Sequence, residues 1–316
     1  MIKIQRILLE TKPIKAIIDW SKQVVLPGFE GIPLYDVVVF FFKQTQKIGL
    51  NERAASVAFN FLMAVPPLFI FIFTLLSYIP DSKILYTEIL ILLKTIIPDQ
   101  QTYLMISGIM DDFFATGTGT LSFGLLLAIY FSSNATLTIM RTFRKSMLHI
   151  DIEDRNFLQI RWSAIRLTAI LVLLIIATIM IMLTQTIVLT WVIDQLNIKD
   201  RFVDGLFKIG QLLIVFCLVF FAIGLTYRYA PHVQKKWKIR SPGAILATFL
   251  IIAFTYLFSY WVNNIASYNK IYGSLGSILI LMFLVFVNSL VLLIGFELNV
   301  SINSLKSIGD KEKLIK

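Results

Sequence analysis

Apolar residues along this chain gather in long runs separated by short polar stretches, without the alternation of period two that a barrel strand would show. The most informative run is 272–299, YGSLGSILILMFLVFVNSLVLLIGFELN. It carries no charge between Tyr272 and Gly295, crowds glycine and serine at its start, and is closed by a lone carboxylate, Glu297. About 20 helical residues cross the hydrocarbon core of a bilayer, so this run is long enough to span. Similar runs predict six transmembrane helices, at about 54–79, 121–140, 164–193, 206–227, 243–267 and 271–298. The expected fold class is therefore an all-α integral membrane protein, with one membrane domain over 54–299.

The flanks differ in character. Residues 1–53 form a basic N-terminal segment, and 300–316 a short basic tail. The first 30 residues mix Lys3, Arg6, Lys12, Lys15 and Lys22 with isoleucine and leucine, without the apolar core of a signal peptide. They read either as an amphipathic helix on the membrane surface, ended by a turn at Pro27, Gly28, Gly31 and Pro33, or as a solvated tail. A second segment, Leu34 to Ile48, is too short and too flanked by lysine to span, and is expected in the interface. Residues 80–120 repeat leucine and isoleucine at helical spacing and predict one or two amphipathic helices over the outer face.

Composition strengthens the membrane assignment. Hydrophobic residues make up 57% of the chain and charged ones 15%, too little polar surface to cover a soluble domain of 316 residues. A net charge of +10 raises nucleic acid as a partner, but position argues otherwise. Of the 29 lysines and arginines, 23 fall in the N-terminal segment, residues 141–166, residues 228–240 and the tail. All four lie on one side of a six-span topology, which puts both termini in the cytoplasm by the positive-inside rule. The single cysteine, Cys217, supports neither a disulfide nor a cysteine metal site.

Polar groups within hydrocarbon are costly unless paired, so each marks a site or a structural contact. Asn60, Asn134 and Asn288 fall roughly 9–14 Å into the membrane at 1.5 Å of rise per residue. They either line one pocket or bond backbone carbonyls of neighbouring helices. Pro66 and Pro67, in the middle of the first span, are expected to break or sharply kink it, and broken helices often mark transporter binding sites. Near the cytoplasmic ends of the spans stand Arg53, Arg141, Arg144, Arg166 and Arg228, at the level of Glu297. A guanidinium satisfies both oxygens of a carboxylate, so one or two of these arginines are expected to pair with Glu297, as a structural lock or as a gate. Asn288 and Glu297 are about half a turn out of phase and cannot face one pocket on a straight helix.

Enzymatic chemistry has no positive sign. The two histidines, His149 and His232, are far apart and lack the clustered ligands of a zinc or two-metal hydrolase. Neither a P-loop, a dinucleotide fingerprint nor a serine elbow is present, so no catalytic residue, metal or cofactor is expected.

From Arg53 to Asn299 the chain resembles the YihY/BrkB family of bacterial inner-membrane proteins. The resemblance is carried by RAASVAFNFLMAVPPL at 53–68, by Asn134, Ala135, Arg141 and Phe143, and by Pro231, Trp237, Arg240, Pro242, Gly243 and Ala244. Its most specific parts are Tyr272-Gly273-Ser274-Leu275-Gly276 and Gly295-Phe296-Glu297-Leu298-Asn299; Phe59-Asn60 and Phe296 depart from the usual pattern. The resemblance implies six spans and an inner-membrane location. Members have been called virulence-associated, were once mislabelled as ribonuclease BN, and are suspected of moving lipids or envelope solutes. The leading expectation is thus a transporter or flippase for an anionic lipid or small envelope solute, with membrane lipids as partners. The alternatives are a non-transporting membrane scaffold and, more remotely, a membrane ribonuclease.

Overall fold

A computed structural model describes residues 12–76, 121–147, 155–196, 201–233, 236–264 and 274–315, with isolated positions at 86, 87, 90, 103, 104, 107, 108, 110, 111, 150 and 153. The amphipathic helices expected over 80–120 lie largely outside the described residues, as do 77–79, 265–267 and 271–273 at the ends of predicted spans. The fold is all-helical, without a strand among the described residues.

Two short helices come first. Helix α1 (Lys12–Gln23) leads into a turn and then α2 (Leu34–Ile48). The turn is closed by Leu34 N–H donating to Val24 O at 2.9 Å. Gly28 and Gly31 adopt φ of +90° and +87° there, which a side chain would resist. Gly49 caps the end of α2 in the left-handed conformation and hands the chain at once to α3 (Leu50–Leu76).

Helix α3 runs without interruption through Pro66 and Pro67, which corrects the expected break. Two prolines remove only two rungs of the backbone ladder. The 27-residue helix keeps its rungs on either side and packs on two neighbouring helices. Pro66 is exposed and Pro67 half-buried, so neither is enclosed in the bundle.

Five long helices follow: α4 (Leu121–Ser146), α5 (Phe157–Leu196), α6 (Arg201–Tyr229), α7 (Pro242–Asn264) and α8 (Ser274–Ile315). Each of α3 to α8 packs on the next in sequence, and α8 returns to pack on α3, so the six close into a ring. Four of them contain stretches long and apolar enough to cross a membrane, at Phe157–Thr178, Ile209–Tyr229, Pro242–Val262 and Ile278–Gly309. Many large apolar side chains on these helices face outward, among them Leu173, Leu212, Phe249 and Phe283, as lipid-facing surfaces do.

Helix α8 is the organising element. Its 42 residues extend about 63 Å at 1.5 Å each, roughly twice the hydrocarbon thickness. The residues read as a tail from 300 onward therefore continue the helix, with Val300, Ser301, Ile302 and Ser304 buried. The physical reason is α2, whose Val37 packs with Phe29 and Ile302 in a second small core. Lys306 Nζ pairs with Glu30 Oε2 at 2.6 Å and ties the helix to the preceding turn.

The main core sits around Phe296. Its ring stacks on Phe143 at 3.6 Å between centroids, with Trp237 at 5.2 Å and Tyr227 at 5.8 Å. Aromatic pairs of this kind contribute about 0.5–1.5 kcal/mol each beyond burial. Tyr227 Oη donates to Leu292 O at 2.6 Å, which satisfies the one polar atom of that buried ring.

Candidate functional site

Next to Phe296 in the chain, α8 carries a single buried carboxylate, around which α2, α3 and α4 converge. Glu297, on α8, is 1% exposed. Its Oε1 accepts a short hydrogen bond from Ser146 Oγ at the end of α4. Arg53, one turn into α3, donates through Nη1 to Ser146 Oγ at 2.7 Å and lies 3.8 Å from Glu297 Oε1. The same Nη1 reaches Thr142 O at 3.5 Å, and Gln44 of α2 donates to Ser146 O at 3.2 Å. The arrangement is a relay in which arginine donates to serine and serine donates to carboxylate. Glu297 Oε2 is buried and has no hydrogen-bond partner in the structure. A buried acceptor without a donor is expensive, so this oxygen is poised to take a proton or a donor from a ligand.

The rest of GFELN is structural. Gly295 lets α8 cross α7 at Gly243, backbone against backbone. Asn299 Oδ1 accepts from Gly243 N–H at 2.9 Å, and its Nδ2 donates to Ser241 Oγ at 2.9 Å. Ser241 precedes Pro242, the first residue of α7, and also accepts from Ala244 N–H, so a residue of α8 completes the cap of a neighbouring helix.

The three asparagines of the expected spans do not share a set of contacts. Asn60 donates to Ser56 O of its own helix at 2.9 Å, not to a neighbour. Asn134 Oδ1 accepts from Arg161 Nη1 at 2.6 Å. Asn288 is half-buried, and its Oδ1 has no partner. Of the five arginines expected near Glu297, Arg53 is the one joined to it. Arg141 and Arg144 are exposed, and Arg166 donates to Ser163 Oγ at 3.4 Å. Arg228 Nε is buried without a partner, its guanidinium 5.8 Å from the Tyr229 ring centre.

Arg161 is a residue that the span expected at 164–193 leaves out. The signal was Asn156-Phe157-Leu158-Gln159, a capping pattern, and Gln159 Oε1 indeed accepts from Asn156 N–H at 3.2 Å. It starts α5 at Phe157 and puts Arg161 on the helix. Ser146 was missed for another reason: a serine at a helix end has no local pattern that marks it as a bridge.

A third polar group joins the two connections at 147–156 and 230–241. Glu153 N–H donates to His232 O at 2.9 Å, and Glu153 Oε2 is gripped by Arg155 Nε and Nη2 at 3.1 and 2.8 Å. His232 is buried and its Nε2 has no partner. No group of three metal-ligating side chains occurs among the described residues.

The family model described as virulence factor BrkB matches residues 41–314, which takes in every residue of the Glu297 site. The chain belongs to the BrkB family. Among curated relatives it is 27% identical over 264 residues to YfkH of Bacillus subtilis, whose name describes it as ribonuclease-like, covering 83% of this chain and 93% of that one. It is 23% identical over 264 residues to a UPF0761 membrane protein of Tolumonas auensis, 82% of each chain. A third relative, the UPF0761 membrane protein IL2447 of Idiomarina loihiensis, is 34% identical over 105 residues, 33% of this chain and 36% of that one. No solved structure matches. This BrkB-family chain is thus a membrane protein, as its apolar helices and its relatives' names agree.

Proposed function

We propose that this BrkB-family protein crosses the bacterial inner membrane six times, with both termini in the cytoplasm, and transports or flips an anionic lipid or small envelope solute. The observation that carries the reading is Glu297 Oε2, a buried carboxylate oxygen without a donor at the point where α2, α3, α4 and α8 meet. A purely structural ion pair is expected to satisfy both oxygens, because half-paired buried charge costs more than it contributes. Support for six spans comes from the closed ring, in which α3 and α4, of 27 and 26 residues, are long enough to stand beside the four apolar helices. In this reading the protein is not an enzyme, and the ribonuclease-like label of YfkH describes that relative alone.

A scaffold without transport is favoured by one observation: Asn60 bonds its own backbone and Asn299 caps α7, so part of the polar inventory holds helices in place. Reconstitution separates the two. A flippase accelerates transfer of labelled anionic lipid across proteoliposomes and loses this with Glu297→Gln, whereas a scaffold leaves the rate at that of empty vesicles.

A further inference from the structure

A second charged group lies between α4 and α5. Arg161 extends along α4 to reach Tyr130 and Asn134, donating through Nη2 to Tyr130 O at 2.7 Å and through Nη1 to Asn134 Oδ1 at 2.6 Å. Its guanidinium lies 4.1 Å over the Tyr130 ring centre. All these partners are neutral. No carboxylate among the described residues forms a salt bridge with Arg161, and Arg141 stands two turns beyond its partner Asn134 on the same face of α4.

A cation on an apolar spanning stretch is costly without a counter-charge, and the face of α4 that holds Asn134 carries a second arginine rather than a carboxylate. A guanidinium carries five N–H donors, of which two bonds to protein are made, so donors remain for a planar, bidentate acceptor. The surroundings are exposed and largely apolar: Trp162 and Tyr130 are 61% and 54% exposed, and Phe157 and Leu158 beside them are also exposed.

We propose that Arg161 and Arg141 form a binding site for a phosphate group, entered from the side of the bundle between α4 and α5. The proposal deepens the transport reading, on which it rests, by assigning where the anionic headgroup docks. Tyr130 and Asn134 orient Arg161, and the exposed aromatic and aliphatic side chains next to it accommodate the ligand's apolar part. A lipid headgroup and free phosphate share this chemistry.

The test is native mass spectrometry of the full-length protein in mild detergent, titrated with phosphatidylglycerol, with phosphatidylcholine and with inorganic phosphate, alongside thermal unfolding. Arg161→Gln and Arg141→Gln are compared with the parent and with Lys145→Gln, a charge-matched change at an exposed position of α4. The site predicts preferential retention of phosphatidylglycerol by the parent and the Lys145 variant. It also predicts about tenfold weaker binding in each arginine variant, the loss expected for one hydrogen bond to a charged group. Stabilisation by inorganic phosphate alone, absent from the arginine variants, names soluble phosphate as the ligand of the same site. Retention of phosphatidylglycerol by Arg141→Gln at parental affinity, or no binding of either probe, overturns the proposal. Arg141 is exposed, so its variant decides the matter if Arg161→Gln does not fold. Binding in detergent needs no transport, so failure of this site and failure of the transport reading are separately visible.

Discussion

Gly243 on α7 and Gly295 on α8 meet backbone to backbone. A methyl group on Gly295 would stand 2.5 Å from Gly243 O and from Tyr227 Oη, and 2.7 Å from Ala247 Cβ. Two of these obstacles are held in place, one as helix backbone and one as a hydroxyl bonded to Leu292 O. Gly295→Ala therefore forces the two helices apart. Overpacking of this kind costs about 1–3 kcal/mol or more, and a drop in the thermal unfolding midpoint in detergent, with Gly309→Ala as a control in open space, checks it.

Asn299→Ala removes an acceptor from Gly243 N–H and a donor from Ser241 Oγ. A lost cap costs about 1 kcal/mol, and more where the freed N–H is buried. Asn299→Asp keeps the acceptor for Gly243 N–H and is expected to recover part of the loss. Thermal unfolding of the two variants side by side measures the difference.

His232 gives the protein an acid-sensitive joint. Burial and the charge of Arg155 hold its imidazole below the ordinary histidine value, against an opposite pull from Glu153, and Arg144 adds to the lowering. The folded state thus favours neutral histidine, while the unfolded chain protonates near pH 6.5. The contribution to stability is fully present above about 6.5 and is lost as pH falls through the lower folded value. Unfolding midpoints measured from pH 8 to pH 5 should decline on the acid side, and His232→Gln should flatten that decline.

Arg53 and Glu297 are energetically coupled if Ser146 relays between them. Arg53→Gln alone leaves a buried carboxylate without its counter-charge, a change that typically costs about 3–5 kcal/mol. Glu297→Gln in the same chain removes that charge, and the double variant should be more stable than Arg53→Gln alone. A double-mutant cycle by thermal unfolding tests this, and additive effects would rule the coupling out.

The two short helices before the ring were legible because their limits are written locally: lysine-flanked apolar periodicity bounds Leu34–Ile48, and Pro27, Gly28, Gly31 and Pro33 punctuate the turn before it. Long apolar runs likewise announced the long helices. Glu297 stood out as a lone carboxylate after a charge-free run, and its level along α8 pointed to the arginines, though not to which one. That choice depends on helix rotation and on Ser146, neither of which leaves a local trace. The same limit hid Asn299 as the cap of α7, a contact between residues 56 apart in the chain. Pro66 and Pro67 misled because the rule that proline breaks helices describes an isolated helix, whereas α3 is held by α4 and α8. Arg161 was recoverable from the Asn156–Gln159 capping pattern, had the start of α5 been drawn from it.

Transport through the Glu297 site is the central claim, and its most direct test is a flipping assay. Purified parent and Glu297→Gln are reconstituted at equal protein-to-lipid ratio into vesicles bearing a fluorescent phosphatidylglycerol, and dithionite is added outside. The account predicts that the parent carries the inner-leaflet label to the quencher faster than empty vesicles, and that Glu297→Gln, folded to a similar midpoint, falls back towards the empty-vesicle rate. A parent indistinguishable from empty vesicles, or a Glu297→Gln variant as fast as the parent, contradicts it.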